Sequence, residues 1–158
     1  MEPRIDFTKF APEAMRAMYG IERHLHNSVL GETLLTLVKM RASQINGCAY
    51  CLDMHSKDAL AAGETAQRLI GLEAWRETPY YTEKERAALT WTESLTLVSQ
   101  THVPDEVYAE VRKEFTEAEI VDLTYAVMAI NAWNRMAISM RSVPGEYQPP
   151  RKKTEAAR

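Results

Sequence analysis

Only two cysteines occur in the 158 residues of this chain, and they stand three apart, at Cys48 and Cys51. The sequence also lacks any apolar run approaching the roughly 20 residues that a membrane-spanning helix needs, so no membrane partner is expected. It lacks an excess of positive charge: 19 lysines and arginines against 22 acidic residues leave a formal net charge of -3, which gives no electrostatic ground for a nucleic-acid partner. Strict apolar and polar alternation, the mark of half-buried strands, is missing as well. The first residues, Met1-Glu2-Pro3-Arg4-Ile5-Asp6, have neither the basic n-region nor the apolar h-region of a secretory signal. A cytoplasmic location is the expectation, and in that compartment a close cysteine pair points to catalysis, redox chemistry or metal binding rather than to a permanent staple.

The apolar pattern is helical almost throughout. Ala14, Met18, Ile21 and Leu25 share a face of a first helix over Pro12 to His26, and Leu34, Leu35, Leu37, Val38, Ala42 and Ile45 give Glu32 to Ile45 a broad buried face. Asn46-Gly47 punctuates, since both residues tolerate a left-handed backbone. A third helix is predicted over Cys48 to Ala62 with Gly63 as its stop, and a short one over Glu64 to Leu72. Trp75 to Tyr81, containing Pro79, reads as an aromatic connector. Thr82-Glu83-Lys84-Glu85 and Thr116-Glu117-Ala118-Glu119 are capping boxes that open helices to about Ser99 and Arg141, and Val103-Pro104-Asp105 starts one that ends near Phe115. The chain is therefore predicted to be all-α, with one helical domain over residues 1–145 and a polar, mobile tail over 146–158.

Asn46 to His55 concentrates the chemistry. On a helix beginning at Cys48, residues three, four and seven apart share a face, which lines up Cys48, Cys51 and His55. A thiol is reactive as its thiolate, and a free cysteine, with a pKa near 8.5, is mostly protonated in a neutral cytosol. A helix N-terminus favours negative charge, and a neighbouring imidazole can take the proton. A thiolate that attacks a peroxide oxygen becomes a sulfenic acid, which a second thiol condenses into a disulfide. Cys51, closer in sequence to His55, is the candidate attacking thiol, and Cys48, expected nearer the surface, the resolving one that meets an external reductant. Two other readings stay open. Zinc needs about four ligands, of which Cys48, Cys51 and His55 would supply three and His24, His26 or His102 a fourth only by tertiary proximity. The pair can also be two inert buried thiols beside a core histidine.

Ala42-Ser43-Gln44-Ile45-Asn46-Gly47-Cys48-Ala49-Tyr50-Cys51, with Met54-His55 after it, closely resembles the core of AhpD-like alkylhydroperoxidases in the carboxymuconolactone decarboxylase family. The resemblance continues through Ala62-Gly63-Glu64-Thr65, Trp75-Arg76-Glu77, Glu83 to Leu89, His102-Val103-Pro104 and Ile130 to Arg135. It implies an AhpD-like helical fold that assembles into homo-oligomers, trimers or hexamers. It also implies reduction of organic hydroperoxides by the cysteine pair, without metal or flavin, and recycling by a thiol or disulfide reductant protein. By matching positions, Cys51 would be the peroxidatic cysteine, Cys48 its disulfide partner and His55 part of a proton relay. Decarboxylases of the wider family lack the pair, which argues for the peroxidase branch; the competing class is a non-enzymatic oligomeric module with an inert or zinc-holding pair. The chain departs from the family where the relay often has a glutamate, twelve residues before Cys48. That position is Thr36, with Glu32 one turn away and best read as a helix-start residue. Tyr50 stands where AhpD itself has a second histidine.

The remaining polar and aromatic residues have plain readings. His24, His26 and His102 are expected at the surface or in a turn. Trp75, Trp91 and Trp133 are core or interface anchors. Asn131, Asn134 and Arg135 stand among apolar neighbours, so they need partners, either in the loop around Asn46 or in a subunit interface.

Overall fold

A computed structural model describes residues 2–150 of the chain. Among them every regular element is helical: α1 Pro12–His26, α2 Glu32–Asn46, α3 Ala49–Ala62, α4 Ala66–Gly71, α5 Glu83–Thr96, α6 Val98–Thr101, α7 Asp105–Glu114 and α8 Glu117–Met140, with short 3-10 segments at Phe7–Lys9 and Leu72–Glu77. None of these helices is long and apolar enough to cross a membrane.

The capping residues set the element boundaries. The Thr82 and Thr116 side chains each accept a hydrogen bond from the backbone amide of the glutamate three residues on, and the Glu85 and Glu119 carboxylates accept one from the threonine amides. α4 starts two residues later than predicted. The Thr65 side chain caps it through Arg68 N, while Glu64 bonds the Thr65 amide from outside the helix. α5 ends at Thr96 rather than near Ser99. Leu97 leaves the helical conformation, and the Thr101 hydroxyl takes up the Ser94 carbonyl at 2.7 Å. The aromatic connector is partly regular, because the 3-10 turn Leu72–Glu77 buries Leu72 and Trp75.

α2 is the central element, packed against α3, α5 and α8. Its Leu34, Leu35 and Val38 meet Ala88 and Trp91 of α5 and Leu123, Ala126 and Val127 of α8 in one apolar cluster. Leu37 and Met40 join Ala59, Leu69, Leu72 and Trp75 in a second. Both clusters remove large side chains from water, the main favourable contribution to folding. α3 is thereby laid along α2 with its first turn against α8.

Beyond α8 the chain returns along α3. Lys57 Nζ donates to the carbonyls of Gly145 and Tyr147, at 3.1 and 3.0 Å, and the Tyr147 hydroxyl bonds Asp58 at 2.7 Å. Of the tail expected over 146–158, residues 151–158 lie outside the described part.

Candidate active site at the start of helix α3

The turn between α2 and α3 needs Gly47. Its φ of +67° closes α2 in the left-handed region, where a Cβ is strained. The next residue, Cys48, is the N-cap of α3 rather than its first helical residue. Its amide donates to the Ser43 carbonyl at 3.0 Å, and its Sγ accepts from Cys51 N at 3.4 Å. Cys48 and Cys51 are disulfide-bonded, with Cα atoms 5.3 Å apart, so the three-residue spacing places both sulfurs on one helical turn.

Buried amides hold this turn from below. Asn46 Nδ2 donates to Asn131 Oδ1 at 3.0 Å and to Asn134 Oδ1 at 2.8 Å. Asn134 Nδ2 donates to Ser43 Oγ at 3.0 Å, and Asn131 Nδ2 to Thr96 Oγ1 and the Val127 carbonyl. Arg135 closes the group by donating to Asn131. Of the two partners expected for these α8 residues, the loop around Asn46 is one that the fold supplies. Asn134 is fully buried, so Asn134→Ala strands the Asn46 amide and the Ser43 hydroxyl. It is expected to destabilise the fold by about 2–3 kcal/mol, read as a lower midpoint in urea unfolding at unchanged slope.

Cys51 and His55 open on one cavity of about 360 Å³, whose walls are mainly apolar: Phe7 from the N-terminal turn, Met15 and Tyr19 from α1, Tyr50 and Met54 from α3, and Trp133 from α8. Cys48 does not line it. The expectation that Cys48 lies nearer the surface does not hold, since both residues are almost fully buried, Cys48 at 1% and Cys51 at 2% exposure. As an N-cap, Cys48 folds its side chain back over the first turn, into a small apolar cluster with Ala137 and Tyr50.

Burial pushes the His55 imidazole down to about 3, and the nearby Lys39 ammonium adds to the effect. The ring is therefore neutral at physiological pH and a weak base in this resting state, with a ring nitrogen available as a hydrogen-bond acceptor. The other histidines lie elsewhere. His24 bonds Asp122 at the surface, His26 bonds Glu32, and His102 ends α6 with a φ of +51°. Among the described residues, no three His, Cys, Asp or Glu side chains gather in a way that could hold a metal ion. Thr36 and Glu32 open onto a different, polar cavity with Asp58, Glu64 and Arg68, and Glu32, in the first turn of α2, is the helix-start residue its position suggested.

Two charged side chains near the site were not singled out from sequence. Glu22 of α1 lines the cavity, and its carboxylate accepts from Lys39 Nζ at 2.7 Å and Trp133 Nε1 at 3.0 Å. A lysine inside the broad apolar face of α2 was the available signal, because a buried ammonium needs a partner.

Residues 12–94 match the carboxymuconolactone decarboxylase family. The chain belongs to that family. The uncharacterized protein YdfG of Bacillus subtilis (strain 168) is 43% identical over 140 residues, covering 89% of this chain and 95% of its own. A crystal structure of an Agrobacterium tumefaciens protein of unknown function, suggested to be the antioxidant defence protein AhpD, superposes with a TM-score of 0.88 at 40% identity, over 92% of this chain and all of that one. The debrominase Bmp8 has the same fold, with a TM-score of 0.73 at 20% identity over 85% of this chain and 73% of its own. The AhpD-like fold expected from the Ala42-to-Cys51 stretch, Met54-His55 and the further matching segments is thus the fold this family member adopts, and the family includes enzymes.

Proposed function

We propose that this protein is a cysteine-based peroxidase that reduces organic hydroperoxides through a Cys48–Cys51 thiol and disulfide cycle. One observation carries the reading: Cys51 and a neutral His55 face the same apolar cavity, with Cys48 in bonding reach of Cys51 on the far side. In the reduced protein the negative charge that forms on Cys51 raises the proton affinity of the imidazole one turn away, and His55 takes the Cys51 proton. The thiolate attacks the distal oxygen of the hydroperoxide and the O–O bond breaks, leaving a sulfenic acid on Cys51 and an alkoxide that takes the proton from His55. Cys48, deprotonated in turn, attacks the sulfenic sulfur. Water leaves and the disulfide forms, which is the state of this structure. A thiol or disulfide reductant protein, oxidised in exchange, returns the pair to two thiols. This cycle suits a reducing compartment, so we place the protein in the cytoplasm with a role in antioxidant defence.

The experiment is thiol counting on reduced protein. Adding one equivalent of cumene hydroperoxide is expected to consume two thiols per chain with release of one equivalent of alcohol. Retention of both thiols after prolonged exposure would sink the reading.

We further propose that the protein is a homo-oligomer, a trimer or a hexamer. Val121, Tyr125 and Met128 form an exposed apolar stripe along α8 at helical spacing, and this is the surface we assign to a second copy. Met128→Glu combined with Tyr125→Lys is expected to shift the mass measured by light scattering toward the 18 kDa monomer. An unchanged mass would move the interface elsewhere.

A further inference from the structure

Two polar side chains that the cycle above does not use line the wall of the Cys51 cavity, and a third, Lys39, is bonded to one of them. Glu22 comes from α1, Lys39 from α2 and the indole nitrogen of Trp133 from α8, joined through the Glu22 carboxylate at 2.7 and 3.0 Å. Their placement is well defined: the ion pair is only partly exposed, 24% for Glu22 and 17% for Lys39, and the Trp133 ring stacks against Tyr19 at 5.6 Å. Among the described residues that line the cavity, Glu22 is the one carboxylate.

We propose that Glu22 is a positioning residue of this site, which holds the Lys39 ammonium and so governs how readily His55 takes and returns the Cys51 proton. The inference rests on the peroxidase reading for its role in turnover, but not for the coupling itself. A proton arriving on His55 makes a cation in a partly buried place, beside a second cation at Lys39. An uncompensated pair of like charges in such surroundings is strongly unfavourable. The Glu22 carboxylate, bonded to Lys39 at 2.7 Å, is the acidic group available to offset both. The Trp133 N–H fixes its second oxygen, so it cannot swing away from the cavity. The titratable groups that face His55 are few. Cys51 and Tyr50 are on its own helix, Lys39 is on α2, and Glu22 and Tyr19 are on α1, while α8 and the N-terminal turn contribute Trp133, Ala137, Phe7 and Thr8, none of which titrates. Lys39 is thus the charge that acts on the imidazole, and Glu22, which shares the cavity wall with His55, is the partner that holds Lys39. The proton passes from Cys51 to His55 to the departing alkoxide, and Glu22 is not on that path.

The test is the titration of His55 followed by NMR of ring-labelled protein in the disulfide form, where neither cysteine titrates and no peroxide is needed. Lys39→Met, which removes the cation and leaves the Glu22 anion, is expected to raise the His55 midpoint by at least about one unit, tenfold in proton affinity. The double variant Glu22→Gln with Lys39→Met should give back part of that rise, and Lys39→Arg should keep the wild-type midpoint. In the reduced protein, Glu22→Gln is expected to slow peroxide-dependent thiol loss about tenfold at pH 7. A purely structural role for the ion pair would lower the melting temperature of all these variants and leave the His55 midpoint where it is. That pattern would overturn the proposal. If the wild type itself fails to react with peroxide, the peroxidase reading falls, while the NMR titration still decides whether Glu22 and Lys39 control His55.

Discussion

Cys51→Ser is expected to abolish peroxide-dependent thiol loss, reducing the rate at least about 10³-fold because the hydroxyl it introduces is a far weaker nucleophile at neutral pH. Cys48→Ser should behave differently. Cys51 still faces the cavity with His55, so the first oxidation proceeds at close to its normal rate and stops at the sulfenic acid, trapped by dimedone as a single adduct per chain. Without Cys48 no disulfide forms, and excess peroxide carries Cys51 on to the sulfinic acid, which thiols do not reverse. Mass spectrometry after a brief and a prolonged peroxide pulse separates the two variants. The assignment of roles fails if Cys48→Ser, rather than Cys51→Ser, loses the first step. The asymmetry follows from burial: both sulfurs are shielded from bulk water, and the cavity reaches one of them.

His55→Gln is expected to slow the reaction of Cys51 with hydroperoxide about 10²-fold at pH 7, within the range that a positioned general base contributes. The same residue leaves a signature in stability. Burial, followed by the charge of Lys39, holds its folded pKa at about 3 against an ordinary value of 6.5. As pH falls from 6.5 toward 3, the unfolded chain binds a proton that the folded chain refuses. Stability from the neutral ring is therefore complete above pH 6.5 and is lost progressively on acidification. Glu119 contributes a loss of the same sign at lower pH. Hydrogen bonds from Lys84 and from the Thr116 backbone bring its carboxyl from 4.5 to about 2, so its contribution falls away only below its ordinary value. Between about pH 4.5 and 6.5 the slope belongs mainly to His55. Urea unfolding across that interval should show stability falling with pH in the wild type and a flatter profile in His55→Gln; identical slopes would refute the buried neutral ring.

Much of the helical scaffold is readable without tertiary information because its signals are local. The capping boxes at Thr82 and Thr116 form within four residues, and the end of α3 at Gly63 and the turn at Gly47 follow from backbone freedom at single positions. The misplaced ends have local causes that propensity does not rank. Thr65 competes with Glu64 for the start of α4, and the Thr101 hydroxyl competes with a continuing helix for the Ser94 carbonyl.

The residues around the cysteine pair divide along the same line. Helical periodicity alone brings Cys51 and His55 to one side of α3, four residues apart, while Cys48 joins Cys51 from the N-cap position. It does not say which sulfur meets the cavity or what surrounds the imidazole. Those answers come from α1 and α8, which lie far from α3 in sequence and supply Glu22, Tyr19 and Trp133. Thr36 illustrates the limit: its place twelve residues before Cys48 made it the position of concern, yet its side of α2 opens on another cavity. The carboxylate near Cys51 and His55 comes from α1. What the sequence determined by itself is the helical pattern and the placing of Cys51 and His55 one turn apart on α3, because both arise from contacts within a few residues. Only the tertiary structure decided that both sulfurs are buried, that Cys51 alone opens on the cavity, and that Glu22 and Lys39 stand beside His55. Burial and charge proximity between distant helices depend on how α1, α2 and α8 pack, and no local spacing encodes that.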